Sequence, residues 1–303
     1  MVVARELRRR YGETDALRGI GFEVGRGELF GIIGPDGAGK TTLFRVLATL
    51  LLADSGSATI DGLDVARDYA ALRRRLGYMP GRFSLYQDLT VEENLEFFAT
   101  VFGATIEANY ALVADIYRQL EPFKKRRAGA LSGGMKQKLA LCCALIHKPE
   151  LLLLDEPTTG VDPVSRKEFW DMLGRLNGQG ITILVSTPYM DEAGLCDRIA
   201  LMQGGSFLDV DRPAGIVAKY PHALWAVRAS RMSGLLGDLR DKAGVLSCFA
   251  FGDSHHVATD GSLGPAELER YLASRGHESI EIGRIEPGIE DCFMDLAGAG
   301  EGR

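Results

Sequence analysis

Long apolar runs are missing from this 303-residue chain. The longest stretches of purely apolar residues, such as ALCCALI at 140–146, fall far short of the roughly 20 residues that cross a bilayer as a helix, so no membrane span is expected. The N-terminus MVVARELRRRYGE carries basic residues but no apolar stretch after them and no small-residue cleavage site. A secretory signal is therefore not expected, and a cytosolic chain is. The five cysteines are odd in number and form no CxxC pair, which argues against a disulfide framework or a zinc site and for reduced core thiols. There is no basic excess either. A formal net charge of -6 speaks against an intrinsic nucleic-acid binder, and the local runs Arg8–Arg10, Arg73–Arg75 and Lys124–Arg127 read as solvated helix ends. No internal repeat and no low-complexity tract is present.

What is present is an ordered alternation of strands and helices. From residue 20 to about 65, GIGFEVGRGELFGIIG, TTLFRVLATLL and SATIDGLDV follow one another as strand, glycine loop, helix and strand, the order of a nucleotide-binding unit. Between about 82 and 147 the apolar spacing becomes helical. LLLLDEP then reads as a fully buried parallel strand, followed by a helix in SRKEFWDMLGRL, a strand in ITILVST, a further helix starting at MDEA and a strand in RIALM. Beyond Pro213 the order becomes βαββαβ with a final helix, which is ferredoxin-like. The expected fold is therefore an α/β unit over 1–215 with a helical insert at about 82–147, and a small α+β accessory or regulatory domain over 221–303. That second stretch holds 8 Lys plus Arg against 13 Asp plus Glu and so presents an acidic surface. His255-His256 sits in one of its strands. Adjacent strand residues point to opposite faces, which favours packing roles over a metal site.

The chemistry concentrates in three motifs. Gly34-Pro35-Asp36-Gly37-Ala38-Gly39-Lys40-Thr41 fits GxxxxGK[ST] between a strand and a helix that continues with Thr42. Such a loop turns backbone N–H groups around phosphates, Lys40 reaches the β- and γ-phosphates, and Thr41 ligates Mg²⁺. The apolar run Leu151–Leu154 delivers Asp155 as a metal ligand, with Glu156 next to it as a candidate base for an attacking water. The third motif, Leu131-Ser132-Gly133-Gly134-Met135-Lys136-Gln137-Lys138, opens a helix just before that run.

This third stretch resembles the signature sequence of ABC ATPases, and the resemblance covers residues 2 to about 215. It implies a P-loop NTPase fold, ATP and Mg²⁺ as ligands, and a signature that completes the site of an opposite subunit. It implies that Tyr11 stacks on adenine, although by its own pattern a core aromatic serves almost as well. It also implies that GYMPGRFSLYQDLTVEENL faces a membrane partner and that Asp162 lies in a loop touching the other subunit. LYQDLTVEENLEFFA and IEPGIEDCFMDLAG look most like the drug-efflux branch that includes daunorubicin-resistance ATPases. The expected partners are an integral membrane permease and a second ABC ATPase, with no nucleic acid, at the cytoplasmic face of the cell membrane. A soluble ABC ATPase acting in translation or DNA repair is the alternative. Such proteins usually carry two ATPase units, long coiled coils or zinc modules, and none of these is found. A P-loop kinase or GTPase is disfavoured by the signature and by the lack of an NKxD motif.

Two positions depart from the family pattern. Gly81 stands where the family usually has a glutamine that contacts metal and water, and Pro188 stands where it usually has a histidine on the γ-phosphate. Proline has neither a side-chain donor nor a backbone N–H. No histidine lies between 148 and 221 to replace the lost one. The expectation is a site that binds nucleotide, hydrolyses it slowly, and works beside a second ATPase.

Overall fold

The computed structural model describes residues 1–82 and 84–301, without the side chains of 299–301. Phe83 of the GYMPGRF stretch and residues 302–303 lie outside the described part. The chain forms two compact units, Met1–Pro213 and Ala214–Arg303.

The first unit begins with β1 (Val2–Tyr11) and β2 (Thr14–Val24), an antiparallel pair. Then come β3 (Leu29–Ile33), α1 (Lys40–Leu47), β4 (Ser55–Ile60), β5 (Leu63–Asp64), α2 (Tyr69–Leu72) and β6 (Leu76–Met79). The helices α3 (Val91–Val101), α4 (Ile106–Leu120) and α5 (Gly133–Leu145) follow, then β7 (Leu151–Asp155), α6 (Pro163–Gly178), β8 (Thr182–Thr187), β9 (Arg198–Gln203) and β10 (Ser206–Asp211). Strands β3, β7 and β8 are buried at every position. A strand covered on both faces has no polar side to present, which is why the sequence reads LFGII, LLLLD and TILVST rather than as an alternation. They form the centre of a six-stranded sheet of order β10-β9-β3-β8-β7-β6, parallel except at the β9–β10 edge. A second, antiparallel sheet of order β2-β1-β4-β5 packs into the same core through Val2, Leu17, Ile20 and Phe22, against Phe30, Phe44 and Leu184.

Local chemistry sets the helix ends. Thr90 and Glu93 form a reciprocal capping box at the start of α3, and Thr105 caps α4. Ser132 caps α5, and Asp162 with Pro163 behind it starts α6.

Two sequence expectations change here. Arg8–Arg10 is not a helix end but part of β1. Register shifts around Leu7 turn that side chain into the core and leave the arginines on the surface, with Arg9 2.6 Å from Asp54 and Arg8 3.0 Å from Glu6. The MDEA stretch does not begin an α-helix. It forms a six-residue 3-10 segment, Met190–Leu195, because the buried carboxylate of Glu192 is tied to side chains outside the turn.

In the second unit, α7 (Pro213–Ala218) starts at the junction. β11 (Ala223–Arg228), α8 (Leu235–Asp241), β12 (Val245–Phe251), β13 (Ser254–Thr259), α9 (Pro265–Ser274), β14 (Glu281–Arg284) and α10 (Ile289–Glu301) follow. The sheet is antiparallel throughout with order β12-β13-β11-β14, the order a βαββαβ chain gives in a ferredoxin-like fold. Its core joins Val227, Leu235, Leu239, Val257, Leu268 and Leu272. His255 is buried while His256 Nδ1 donates to Asp291 Oδ1 on α10 at 2.7 Å, so the adjacent histidines have the different surroundings their strand positions imply. All five cysteines are buried and none forms a disulfide, and burial pushes the Cys248 thiol up to about 11.

Candidate active site

The parallel pairing brings the motifs together. Ile33 at the end of β3 lies beside Thr187 at the end of β8, and Asp155 at the end of β7 lies beside Ser186. Gly34, Asp155 and Pro188 therefore leave the same carboxyl edge of the sheet, where open α/β sheets take their ligands.

The loop from Gly34 to Gly39 is shaped by close approaches. A Cβ on Gly34 would lie 2.1 Å from the Met202 carbonyl oxygen, and one on Gly39 would lie 2.3 Å from that of Ala16. Gly39 also has φ 108, a conformation that favours glycine. The backbone thus turns tightly into α1, whose first N–H groups have no intrahelical partner and favour an anion. Lys40, only 3% exposed, sits at this point. Its Nζ donates to the carbonyls of Gly34 at 2.8 Å and Pro35 at 2.9 Å and lies 3.0 Å from Glu156 Oε1. Two of the three contacts aim the ammonium, and the third pairs its charge.

Asp155 is buried, and its Oδ1 accepts from the hydroxyls of Ser186 at 2.8 Å and Thr41 at 3.2 Å. Burial raises the affinity of this carboxyl for its proton, and the two hydroxyls pull in the opposite direction. A hydroxyl and a carboxylate side by side are hard oxygen donors suited to a small divalent cation. Glu156 follows in the left-handed region, φ 50, with its N–H donating to the Ser186 carbonyl at 3.1 Å. Non-glycine residues held in that region cluster at functional sites. The turn swings the carboxylate toward Lys40 and toward the Thr159 hydroxyl, 3.4 Å from Oε2.

A cavity of about 280 Å³ opens over the loop, lined by Tyr11, Ala16, Gly37, Gly39, Lys40, Thr41, Thr42 and Glu156 among others. Tyr11, 43% exposed at the end of β1, is no core aromatic. A second cavity of about 670 Å³ shares Thr41 and Glu156 and continues past Asp155, Arg45, Tyr78, Gly81 and Arg82. Burial and the neighbouring Asp155 push the Tyr78 hydroxyl up to about 12. Gly81 borders the Asp155–Glu156 backbone directly, since a Cβ there would meet the Asp155 carbonyl oxygen at 3.0 Å.

Leu131 to Met135 line neither cavity. Ser132 Oγ accepts from Met135 N at 3.3 Å, and Gly134 presses on Ser165, where a Cβ would come within 2.7 Å of the hydroxyl. The signature turn thus packs against the start of α6. There Asp162 accepts from Ser165 N at 3.0 Å, and that bond holds its carboxyl below the usual range.

Pro188 follows Thr187, whose hydroxyl accepts from Tyr189 N at 3.1 Å. The backbone donor after the proline is thus turned back on its own loop. Sequence reasoning missed Ser186, which orients Asp155, and the group Thr158, Arg166, Thr187 and Glu192 behind the turn. The one signal in the sequence was the Ser-Thr pair that closes β8 after the apolar run Ile183–Val185.

Comparison with known proteins finds relatives in both sequence and fold. The ABC transporter family model matches residues 17–159. The chain is 39% identical over 304 residues to a probable multidrug ABC transporter ATP-binding protein of Escherichia coli, covering 98% of this chain and 52% of that protein. It thus spans about half the length of that relative and of its Shigella flexneri counterpart. The linearmycin resistance ATP-binding protein of Bacillus subtilis is 36% identical, with 98% of each chain covered. A daunorubicin resistance ATP-binding protein of Streptomyces coeruleorubidus is 34% identical, with 98% of this chain and 95% of that protein covered. Among solved structures, a cassette from Clostridium perfringens, part of an ABC transporter complex, matches with TM-score 0.64 at 28% identity, over 72% of this chain and 90% of its own. An ATP-binding cassette in a post-hydrolysis dimer with ADP and phosphate matches with TM-score 0.63 at 25% identity, over 70% of this chain and 98% of its own.

Proposed function

Because the chain belongs to the family of ABC transporter ATP-binding proteins, we propose that it powers a separate membrane permease exporting drug-like or hydrophobic compounds, and that its own nucleotide site binds ATP far better than it turns it over. The single observation that carries this reading is the contact of Lys40 with both loop carbonyls and Glu156, on a loop shaped for phosphate. Phosphate oxygens entering the loop compete with Glu156 for the ammonium and not with the carbonyls that aim it. Lys40 passes to the phosphates, and Glu156 becomes free to take a proton from an attacking water. Thr41 and Asp155 would hold Mg²⁺, which would supply charge neutralisation to the phosphoryl group being transferred. The position of Tyr11 on the cavity rim fits stacking on the adenine, with Gly34 to Thr42 around the phosphates.

Gly81 and Pro188 each leave this site without a polar group. Losing one positioned donor costs on the order of 10²- to 10³-fold in rate, whereas the parts that bind are complete. In the signature stretch Leu131 to Met135, Ser132 and Gly133 are exposed, Gly134 and Met135 are half-buried and Leu131 is buried; none of them, nor the exposed Asp162, lines either cavity over the loop, which supports a role toward a second subunit. An unequal pair therefore fits best, in which a second ABC ATPase supplies the faster site.

A permease partner is supported by an apolar cleft of about 430 Å³ lined by Leu50, Leu76, Met79, Leu85, Phe98, Val101 and Phe102, with Leu50 and Val101 more than half exposed. None of the described helices is long and apolar enough to cross a membrane, which fits a peripheral subunit at the cytoplasmic face. The resistance relatives support a drug-like cargo. ATP turnover of the purified chain, alone and mixed with a second ABC ATPase, tests the pairing: the mixture is expected to be much faster. Equal rates, with Glu156→Gln abolishing the activity of the lone chain, would rule the pairing out.

A further inference from the structure

The turn after β8 is held by a carboxylate that ATP chemistry does not use. Glu192 is 2% exposed although it is charged and lies in a short 3-10 segment. Its Oε2 accepts from the hydroxyls of Thr187 and, at 3.2 Å, Thr158. Its Oε1 lies 3.1 Å from Arg166 Nε, an ion pair too bent to be a hydrogen bond. The same guanidinium donates to Asp191 Oδ2 at 2.8 Å and covers the Tyr189 ring at 4.1 Å.

These contacts join segments that the chain keeps apart. Thr158 stands between Glu156 and Asp162, Thr187 immediately precedes Pro188, and Arg166 lies in the early part of α6, which Asp162 caps. A buried carboxylate is stable only while its partners stay in place. Movement of any one segment is therefore resisted through the other two. An apolar side chain could fill the same space but would impose no such constraint. Glu156 is itself tied into this stretch through the Thr159 hydroxyl.

We propose that Glu192 is a positioning residue that locks the exposed loop ending at Asp162 to the Pro188 turn, so that nucleotide arriving at Lys40 and Glu156 is felt in that loop. The proposal rests on the ATP-binding reading above. Hydrogen–deuterium exchange of the full chain with and without Mg-ATP tests it. In the wild type, ATP protects both 34–42 and 157–163. Glu192→Gln keeps the size and removes the charge. Protection of 34–42 should persist in this variant, while that of 157–163 falls about tenfold. Thr158→Val cuts one hydrogen bond and should show the same pattern more weakly, which keeps the test open if Glu192→Gln does not fold. Unchanged protection of 157–163 in both variants overturns the proposal. So does a parallel loss at 34–42, because Glu192 would then merely support the phosphate loop. Wild-type protection at 34–42 alone overturns the coupling and spares the ATP reading, whereas protection at neither segment overturns both.

Discussion

Strands β7 and β8 lie side by side, are equally buried, and end at the same edge of the sheet, yet they end in opposite ways. The first delivers Asp155 and Glu156 to Thr41 and Lys40. The second ends in Thr187, whose carbonyl accepts from Gly34 N at 3.2 Å while its hydroxyl accepts from Tyr189 N and donates to Glu192, and in Pro188, whose side chain has no polar atom. The framework that positions a group is thus separable from the group itself. Here the framework of the second strand is complete, down to a buried carboxylate clamp, while the side chain it should carry has no polar atom. In the proposed reading the binding residues and the candidate base come from β7 and the phosphate loop, and the polar group missing from turnover is the one β8 lacks.

The comparison can be broken most severely from the β7 side. Lys40→Ala removes an ammonium that is both buried and paired, and it leaves Glu156 and two loop carbonyls without their cation. Charge-assisted bonds contribute about 1.5–3 kcal/mol each, so ATP affinity measured by equilibrium titration should fall by about 10- to 100-fold or more. Rebuilding the β8 side sharpens the contrast. Pro188→His should raise turnover by about 10- to 100-fold with little change in ATP affinity. Gly81→Gln should help less, because its Cβ must push on the Asp155 carbonyl from 3.0 Å. Rates with and without each variant decide this.

The smallest effect concerns the second unit, to which none of the site residues described above belongs. Burial holds the ring of His255 below the ordinary histidine value of 6.5. The unfolded chain then binds the proton more readily than the folded one. Stability is full above about pH 6.5 and declines as the pH falls toward the folded value. Denaturant midpoints taken between about pH 5 and 7 should decline with acid in the wild type, and less so in His255→Gln. A wild-type midpoint that rises with acid would contradict the assignment.

Much of this was legible in the sequence, for a physical reason. Phosphate loops and buried parallel strands are local: GPDGAGKT and LLLLDEP carry within a few residues both the turn chemistry and the apolar run that place them. Gly81 and Pro188 stood out only against the family pattern that the resemblance implies, where a glutamine and a histidine are usual. The β1 strand was not legible, since its bulged register around Leu7 breaks the alternation that marks a strand and leaves a run of arginines that reads as a helix end. The Glu192 clamp was equally hidden. Thr158, Arg166, Thr187 and Glu192 are spread over 35 residues, and only the pairing of β7 with β8 brings them together. The same holds for the Lys40–Glu156 contact, whose partners are each recognisable but whose pairing is a property of the fold.

A single-turnover experiment tests the central claim most directly. The purified chain in excess is mixed with limiting labelled Mg-ATP, and bound ATP and ADP are followed with time, beside the Gly81→Gln, Pro188→His double variant. The account predicts that the wild type captures the nucleotide and holds it as ATP while the double variant converts it to ADP. Conversion by the wild type as fast as by the double variant would contradict it.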